Sequence, residues 1–293
     1  MTLADGIWQQ IFSFENYGEL LALVRNSLIA GAALGLVGGL AGVFVIMRDL
    51  PFAVHGISEL SFAGASAALL LGVDIVAGSI AGSLVAAGAI GILGARARDR
   101  NSAIGILMPF GLGLGVLFLA LYKGRAANKF GLLTGQIVAV DTPQTKWLLG
   151  TSALVLVVLA VIWRPLAFAS ADPDVAEARG VPVRGLSFAF MLVLGLTVAL
   201  SVQVVGALLV LTLVVTPAAA AARVTASPVL LPLLSVAFAV VSIEGGILLA
   251  LGSSIPISPY VTTISFTVYV VCRLVGGRRS RRRGAGRSTP QPA

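Results

Sequence analysis

The sequence predicts an all-α membrane protein that crosses the bilayer eight or nine times. Hydrophobic residues make up 58% of the chain, charged residues make up 11%, and the mean hydropathy is +1.01. Soluble domains carry about 25% charged residues. Apolar runs of about 20 residues, the length that crosses a hydrocarbon core, recur along the whole chain. These observations leave no segment long enough for a separate soluble domain.

Hydropathy along the chain predicts nine membrane helices. They are expected near residues 28–47, 52–71, 75–95, 104–122, 147–163, 186–201, 204–222, 229–251 and 260–274. Residues 28–276 then form a transmembrane domain, preceded by an extracytoplasmic or interfacial segment at 1–27. The Arg-rich residues 277–293 contain too few apolar side chains to fold, so a disordered basic tail is expected there.

The basic residues predict how the chain is oriented in the membrane. Arg48, the cluster at 96–100, Arg164, Arg223 and the tail all fall on one side if the loops alternate. The positive-inside rule then places the N-terminus outside and the C-terminus in the cytoplasm, although Arg25 and the lysines near 123–146 oppose it. The tail supplies most of the net charge of +8, which indicates an anchor beside anionic lipid rather than nucleic-acid binding.

The only histidine of the chain, His55, lies four residues before Glu59 in an apolar stretch. Residues four apart share one face of a helix, so the imidazole and the carboxylate are expected to lie together. Ionisable residues inside a membrane are costly and mark functional sites, which makes this pair the first candidate for a functional site. A buried ion pair that joins two helices is the alternative. Glu244 is a further carboxylate in a predicted span. It either faces a water-filled path that it shares with this pair, or it pairs with an arginine near an interface.

Glycines at small-xxx-small spacing predict close contacts between helices. The pairs Gly31 and Gly35, and Gly78 and Gly82, have this spacing. The phosphate-binding pattern G-x-x-x-x-G-K-[ST] does not occur in the sequence. If the protein uses ATP, another subunit binds it.

The longest polar cytoplasmic segment is expected at residues 169–185. Asp172 can cap a short helix that has Pro173 at its first position and ends at Gly180. Such an exposed helix, which also contains Glu177 and Arg179, is suited to a socket on a partner protein. A plain surface loop with one helical turn is the alternative.

Three blocks of sequence resemble the permease subunits of bacterial ABC importers for zinc, manganese and iron. Residues 172–181 resemble the family's coupling segment D-P-E-x-A-x-x-x-G-[LV]. Residues 206–221 are similar to its G-x-L-L-x-x-x-x-L-x-x-[TS]-P-A-A-x-A helix, with one residue fewer before Thr216 and Pro217, which we expect to pack between helices. Residues 133–137 resemble its L-x-G-[SN]-[IL] turn.

The sequence departs from the family at the candidate metal site. Members commonly read G-D-A-I-S-H, with the acid and the imidazole taken as metal ligands in the translocation path, whereas here His55 stands at the position of the acid and Glu59 at that of the histidine. One nitrogen and one oxygen donor survive the exchange. Imidazole suits Zn²⁺ and carboxylate-rich sites favour Mn²⁺, so zinc is the expected metal, with Mn²⁺ or Fe²⁺ as alternatives.

The resemblance also implies the partners and the location of the chain. They are a second copy of the permease in a two-fold dimer, two cytoplasmic ATPases that dock on residues 172–180, an extracytoplasmic metal-binding protein, and the bacterial cytoplasmic membrane. The chain itself is then a transport subunit and not an enzyme, with no permanently bound cofactor.

Two other classes of function fit parts of the sequence. In a proton-coupled secondary carrier, His55 and Glu59 would relay protons, but such carriers usually show repeated halves and no clear repeat is found. An intramembrane metalloenzyme would need further ligands, since H-E-x-x-H is absent and the chain has one histidine.

Overall fold

The computed structural model describes residues 18, 21, 24–93, 97–125, 131–132, 142–251 and 256–285. Within these residues the regular structure is helical, and no strand occurs. The helices are α1 (Arg25–Met47), α2 (Pro51–Leu71), α3 (Ile75–Leu93), α4 (Ala97–Leu121), α5 (Thr142–Ala171), α6 (Pro173–Ala178), α7 (Val183–Val205), α8 (Val210–Val214), α9 (Thr216–Val224), α10 (Leu230–Leu251) and α11 (Ile257–Ala285). The predicted all-α membrane fold is confirmed.

In the described part of the chain, eight helices are long and apolar enough to cross a membrane. They are α1 to α5, α7, α10 and α11. Helix α5 was expected to end at residue 163, before Arg164 and Pro165, but it continues to Ala171 with Pro165 inside it. Proline is tolerated in a membrane helix where neighbouring groups satisfy the freed carbonyl.

The expectation of one continuous helix at 204–222 is wrong. Helix α7 runs to Val205, Gly206 adopts a φ of 82°, and a 3-10 turn, α8 and α9 follow, with Pro217 in the first turn of α9. A glycine tolerates this positive φ at no steric cost, and a proline has no N–H for an intrahelical bond, so both residues interrupt the helix.

The interrupted segment nevertheless runs along α11 from its first turn to Gly276. The Ser258 hydroxyl donates to the Val205 carbonyl at 3.0 Å, and the Ser265 hydroxyl donates to the Thr212 carbonyl at 3.1 Å. Further along, Gly276 lies against the Arg223 carbonyl. The three contacts advance together along both segments, so residues 206–224 lie parallel to α11 between Ser258 and Gly276. This segment accounts for the ninth apolar run in the sequence.

Glycines provide the close contacts between helices. Side chains added at Gly31 and Gly35 of α1 would meet α10, where the nearest atoms lie 2.8 Å from the added Cβ. In α3, Gly78 and Gly82 lie against the backbone of α2, and a Cβ at Gly78 would be 2.5 Å from the carbonyl oxygen of Gly64. The absence of side chains lets each pair of backbones approach closely.

The apolar interior has two main parts. One contains Phe44, Phe62 and Phe190 and lies among α1 to α5 and α7. The other, which contains Leu34 and Ile243, lies among α1, α10 and α11. Large apolar side chains such as Val161, 75% exposed, cover the outside, as expected of a surface that faces lipid.

The disordered tail was expected to begin at Gly277, but the backbone of α11 continues as a helix to Ala285. Arginine is among the better helix formers, so an Arg-rich extension can prolong a preceding helix. Residues 286–293 lie outside the described part of the chain, as does most of the predicted N-terminal segment.

Candidate functional site

Helix α2 carries the candidate site and is held between two other helices. It begins with Pro51 in its first turn, and ends at Gly72, which adopts the left-handed conformation with a φ of 71°. Gly82 of α3 lies against the carbonyl of Leu60, and a Cβ at Gly111 of α4 would be 3.0 Å from the carbonyl carbon of Glu59. Two glycines thus fix the part of α2 that carries Glu59.

His55 and Glu59 come together as the spacing predicted. The Nε2 atom of His55 lies 3.7 Å from Oε1 of Glu59, within ion-pair range but longer than a hydrogen bond. The His55 side chain is 29% exposed and that of Glu59 is 5% exposed. The imidazole is therefore the more accessible side of the pair, with the carboxylate behind it.

Serines add further polar groups to α2. The Ser58 hydroxyl donates to the His55 carbonyl at 2.8 Å, and the Ser61 hydroxyl lies 2.8 Å from that of Ser79 in α3. Ser66 is buried, and its hydroxyl has no hydrogen-bond partner among the described residues. These serines were not predicted as site residues, although their small polar side chains in an apolar helix were a visible signal.

Glu244 lies in another part of the bundle. Its helix, α10, packs mainly on α1, α9 and α11, whereas α2 packs mainly on α3, α4 and α7. A Cβ at Gly31 would lie 2.9 Å from Oε1 of Glu244, and this oxygen is buried without a hydrogen-bond partner in the described structure. Within the chain, Glu244 is not brought to His55 and Glu59.

The pair offers one imidazole nitrogen and one carboxylate to a cation. In the described residues, no group of three or more His, Cys, Asp or Glu side chains is close enough to hold a metal ion. A tetrahedral ion needs four donors, so one copy of the pair supplies half of such a set. A second copy related by two-fold symmetry would supply the other half.

The short helix α6 has the predicted form. Oδ1 of Asp172 accepts a hydrogen bond from the Val175 amide at 3.1 Å, and Pro173 lies in the first turn. Gly180 follows with a φ of 79°. Ala176 is buried against the bundle while Glu177 and Arg179 are exposed, so one side of the helix is anchored and the other is presented outward. The predicted cap and end of this helix are confirmed.

These features define a polytopic helical membrane protein with a polar site on α2 and an outward-facing helix between two spans. The model of the ABC 3 transport family matches residues 21–276. The chain therefore belongs to the ABC 3 transport family, and the resemblance to metal ABC importer permeases is confirmed. Its relatives are permease subunits, so this chain is a transport component and not an enzyme.

Relatives named for two metals are similar to the chain. It is 29% identical over 225 residues to the manganese transport system membrane protein MntC of Halalkalibacterium halodurans, covering 76% of this chain and 77% of the relative. It is 25% identical over 253 residues to the high-affinity zinc uptake system membrane protein ZnuB of Haemophilus influenzae, covering 86% and 97%.

A solved structure, PsaBC from Streptococcus pneumoniae in complex with Fab, superposes with a TM-score of 0.77 at 25% identity. The superposition covers 87% of this chain and 95% of that chain. The fold described above is thus similar to that structure over nearly its whole length.

Proposed function

We propose that the chain carries a divalent transition metal into the cell along a path that passes His55 and Glu59. The observation that carries this proposal is the contact of an accessible imidazole with a buried carboxylate, 3.7 Å apart, on a helix held tightly by its neighbours. Alternating access, driven by ATP hydrolysis on separate subunits, would expose the pair to each side of the membrane in turn.

Zinc is the metal that the donor set favours. A two-fold dimer would contribute two His55 imidazoles and two Glu59 carboxylates, which suits a four-coordinate Zn²⁺. Nitrogen donors raise affinity for Zn²⁺ over Mn²⁺ in the general order of divalent metals. The relatives named for manganese and for zinc support a metal of this class, with Mn²⁺ and Fe²⁺ as alternative cargoes. Glu244 would serve the path only if it becomes accessible during the transport cycle.

The proposed assembly has three kinds of protein partner. Two copies of this chain form a homodimer in the bacterial cytoplasmic membrane, with the N-terminus outside and the C-terminus inside. Two ATPase subunits dock on residues 172–180, where Glu177 and Arg179 are exposed. A metal-binding protein delivers the ion from outside. The family match supports this arrangement.

Metal uptake by the reconstituted complex tests the proposal. His55→Ala or Glu59→Gln should lower uptake of zinc into proteoliposomes at least tenfold, because altering even an outer partner of a metal ligand typically costs 10–100-fold in affinity. Asp74→Asn is the matched control. Asp74 is exposed, and its side chain accepts the Ala77 amide at 2.7 Å, a cap that asparagine can also make.

Wild-type uptake by both variants would mean that the pair has a structural role and does not bind the transported metal. Assembly with the ATPase is measured in the same preparations, so a loss of uptake is attributed to the site only where the complex remains intact. The secondary-carrier alternative predicts uptake that continues without ATP. The interrupted segment at 206–224 is a feature that such carriers also have, but the family match favours the ATP-driven class.

A further inference from the structure

A positively charged cavity lies at the end of the bundle that also carries α6. Its volume is about 330 Å³, within the usual range for small-ligand sites. The ends of α1 to α4 and α7 form it. Its lining includes Arg48, Arg100, Arg184, Ser187 and Phe190. No acidic side chain of the described residues lines it.

Two of these arginines have donors without acceptors. The Nη1 atom of Arg48 and the Nε atom of Arg100 are buried and lack hydrogen-bond partners in the described structure. The other terminal nitrogen of Arg48 donates to the Ser187 hydroxyl, and the guanidinium lies 5.9 Å from the centre of the Phe190 ring. Arg48 is therefore held in place while one of its N–H groups remains unsatisfied.

The charges of this cavity repel each other. Burial, and to a smaller extent the neighbouring Arg100, lower the pKa of Arg48 from its ordinary value. Arginine nevertheless stays protonated in proteins. Buried donors without partners and uncompensated like charges both disfavour an empty cavity, and an anion would relieve both.

We propose that this cavity binds a phosphate group, carried by an anionic lipid or free in solution. A guanidinium group matches the geometry of phosphate and can donate two parallel hydrogen bonds to two oxygens of the same phosphate. The cavity lies where spans α1, α3 and α7 meet the membrane surface, and basic pockets between helices at that depth bind lipid headgroups. The exposed Arg184 stands at the rim, and Arg48 and Arg100 lie deeper.

Binding to the full-length chain tests the proposal. The chain is purified in detergent, stripped of lipid, and titrated with short-chain phosphatidylglycerol, short-chain phosphatidylcholine or inorganic phosphate. Native mass spectrometry counts bound molecules, and thermal unfolding reports stabilisation. Phosphatidylglycerol should bind and raise the Tm, because a ligand that binds only the folded state stabilises it.

Each of Arg48→Gln, Arg100→Gln and Arg184→Gln should weaken phosphatidylglycerol binding about fivefold or more, the effect of one basic residue near an anionic surface. Arg184 is exposed, so its substitution leaves packing intact even where Arg48→Gln impairs folding. Arg223→Gln is the control. It removes the same charge from a residue that stacks on Tyr269 outside the cavity, and should change affinity less than twofold.

The titrations with lipid and with inorganic phosphate distinguish the two sources of the phosphate group. A free-phosphate site would be identified if millimolar inorganic phosphate competes with phosphatidylglycerol and this competition is lost in the same variants. Binding of phosphatidylglycerol without such competition would identify a lipid site. Affinities within twofold of wild type in all three cavity variants, or an equal loss in Arg223→Gln, would overturn the proposal.

Discussion

Gly42 of α1 lies against the carbonyl oxygen of Val214, at the point where the segment parallel to α11 is interrupted. A Cβ at Gly42 would overlap this oxygen and would be 3.2 Å from the Cβ of Ala218. Helix α9 begins two residues after Val214, at Thr216, and has Pro217 in its first turn. The absence of a side chain at Gly42 therefore lets α1 approach the irregular backbone.

Gly42→Ala should destabilise the protein by about 1–3 kcal/mol, the usual cost of forcing extra volume into a packed interior. Thermal unfolding of the purified chain measures the effect. Gly88→Ala is the control, because no atom lies within 4 Å of a Cβ added there, and alanine is the better helix former. Equal Tm values for both variants would mean that α1 does not pack against the interruption as described.

The conformation of Gly180 leads to a prediction about the ATPase contact. Its φ of 79° is unfavourable for a β-branched residue but accessible to asparagine. Gly180→Val should therefore distort the end of α6 and reduce co-purification of the ATPase, whereas Gly180→Asn should retain it. Membrane insertion should be unaffected in both, because the residue lies outside the spans.

Glu177→Lys should also weaken the complex, because it reverses a charge on the exposed side of α6. Co-purification and stimulation of ATP hydrolysis by the metal-loaded binding protein are the measurements. If both remain at the wild-type level, the ATPase docks elsewhere.

Exchanging the two candidate ligands tests whether their order matters. The double variant His55→Asp with Glu59→His has the order found commonly in the family and the same two donor types. It should retain metal uptake within tenfold of wild type, whereas His55→Ala with Glu59→Ala should abolish it. An exchange that abolishes uptake while the complex stays assembled would show that donor type alone does not define the site.

The donor set also predicts which metal limits growth. In the proposed dimer each protomer would contribute an imidazole, so deletion of this chain should impair growth under zinc limitation more than under manganese limitation. Growth of the deletion strain in chelated medium, with either metal restored, measures this difference. Rescue by manganese but not by zinc would reverse the metal preference and leave the transport function standing.

The sequence predicted most of the spans and the contact of His55 with Glu59, because hydropathy and helical spacing are local properties. The interruption of residues 204–222 was missed, since every side chain within this range is apolar or small and the window average hides the break. Local signals for it were present in that glycine and proline.

Contacts between distant residues could not be predicted. Glu244 lies against Gly31, and Arg48 lies near Arg100 and Arg184, only because the helices pack in a particular order. Arg48 and Arg100 were used to predict orientation, and the separate positions of the three arginines in the sequence gave no sign that they share a cavity. Such sites depend on tertiary packing.

X-ray absorption at the zinc edge tests the central claim most directly. The assembled complex of permease and ATPase, purified with a tag that contains no histidine and without the binding protein, is loaded with zinc and compared with the same complex carrying His55→Gln. Because His55 is the only histidine of this chain, the wild-type complex should show imidazole scattering from bound zinc that the variant lacks. Zinc bound to the wild-type complex with no difference in imidazole scattering from the variant would contradict the assignment of His55 to the metal path.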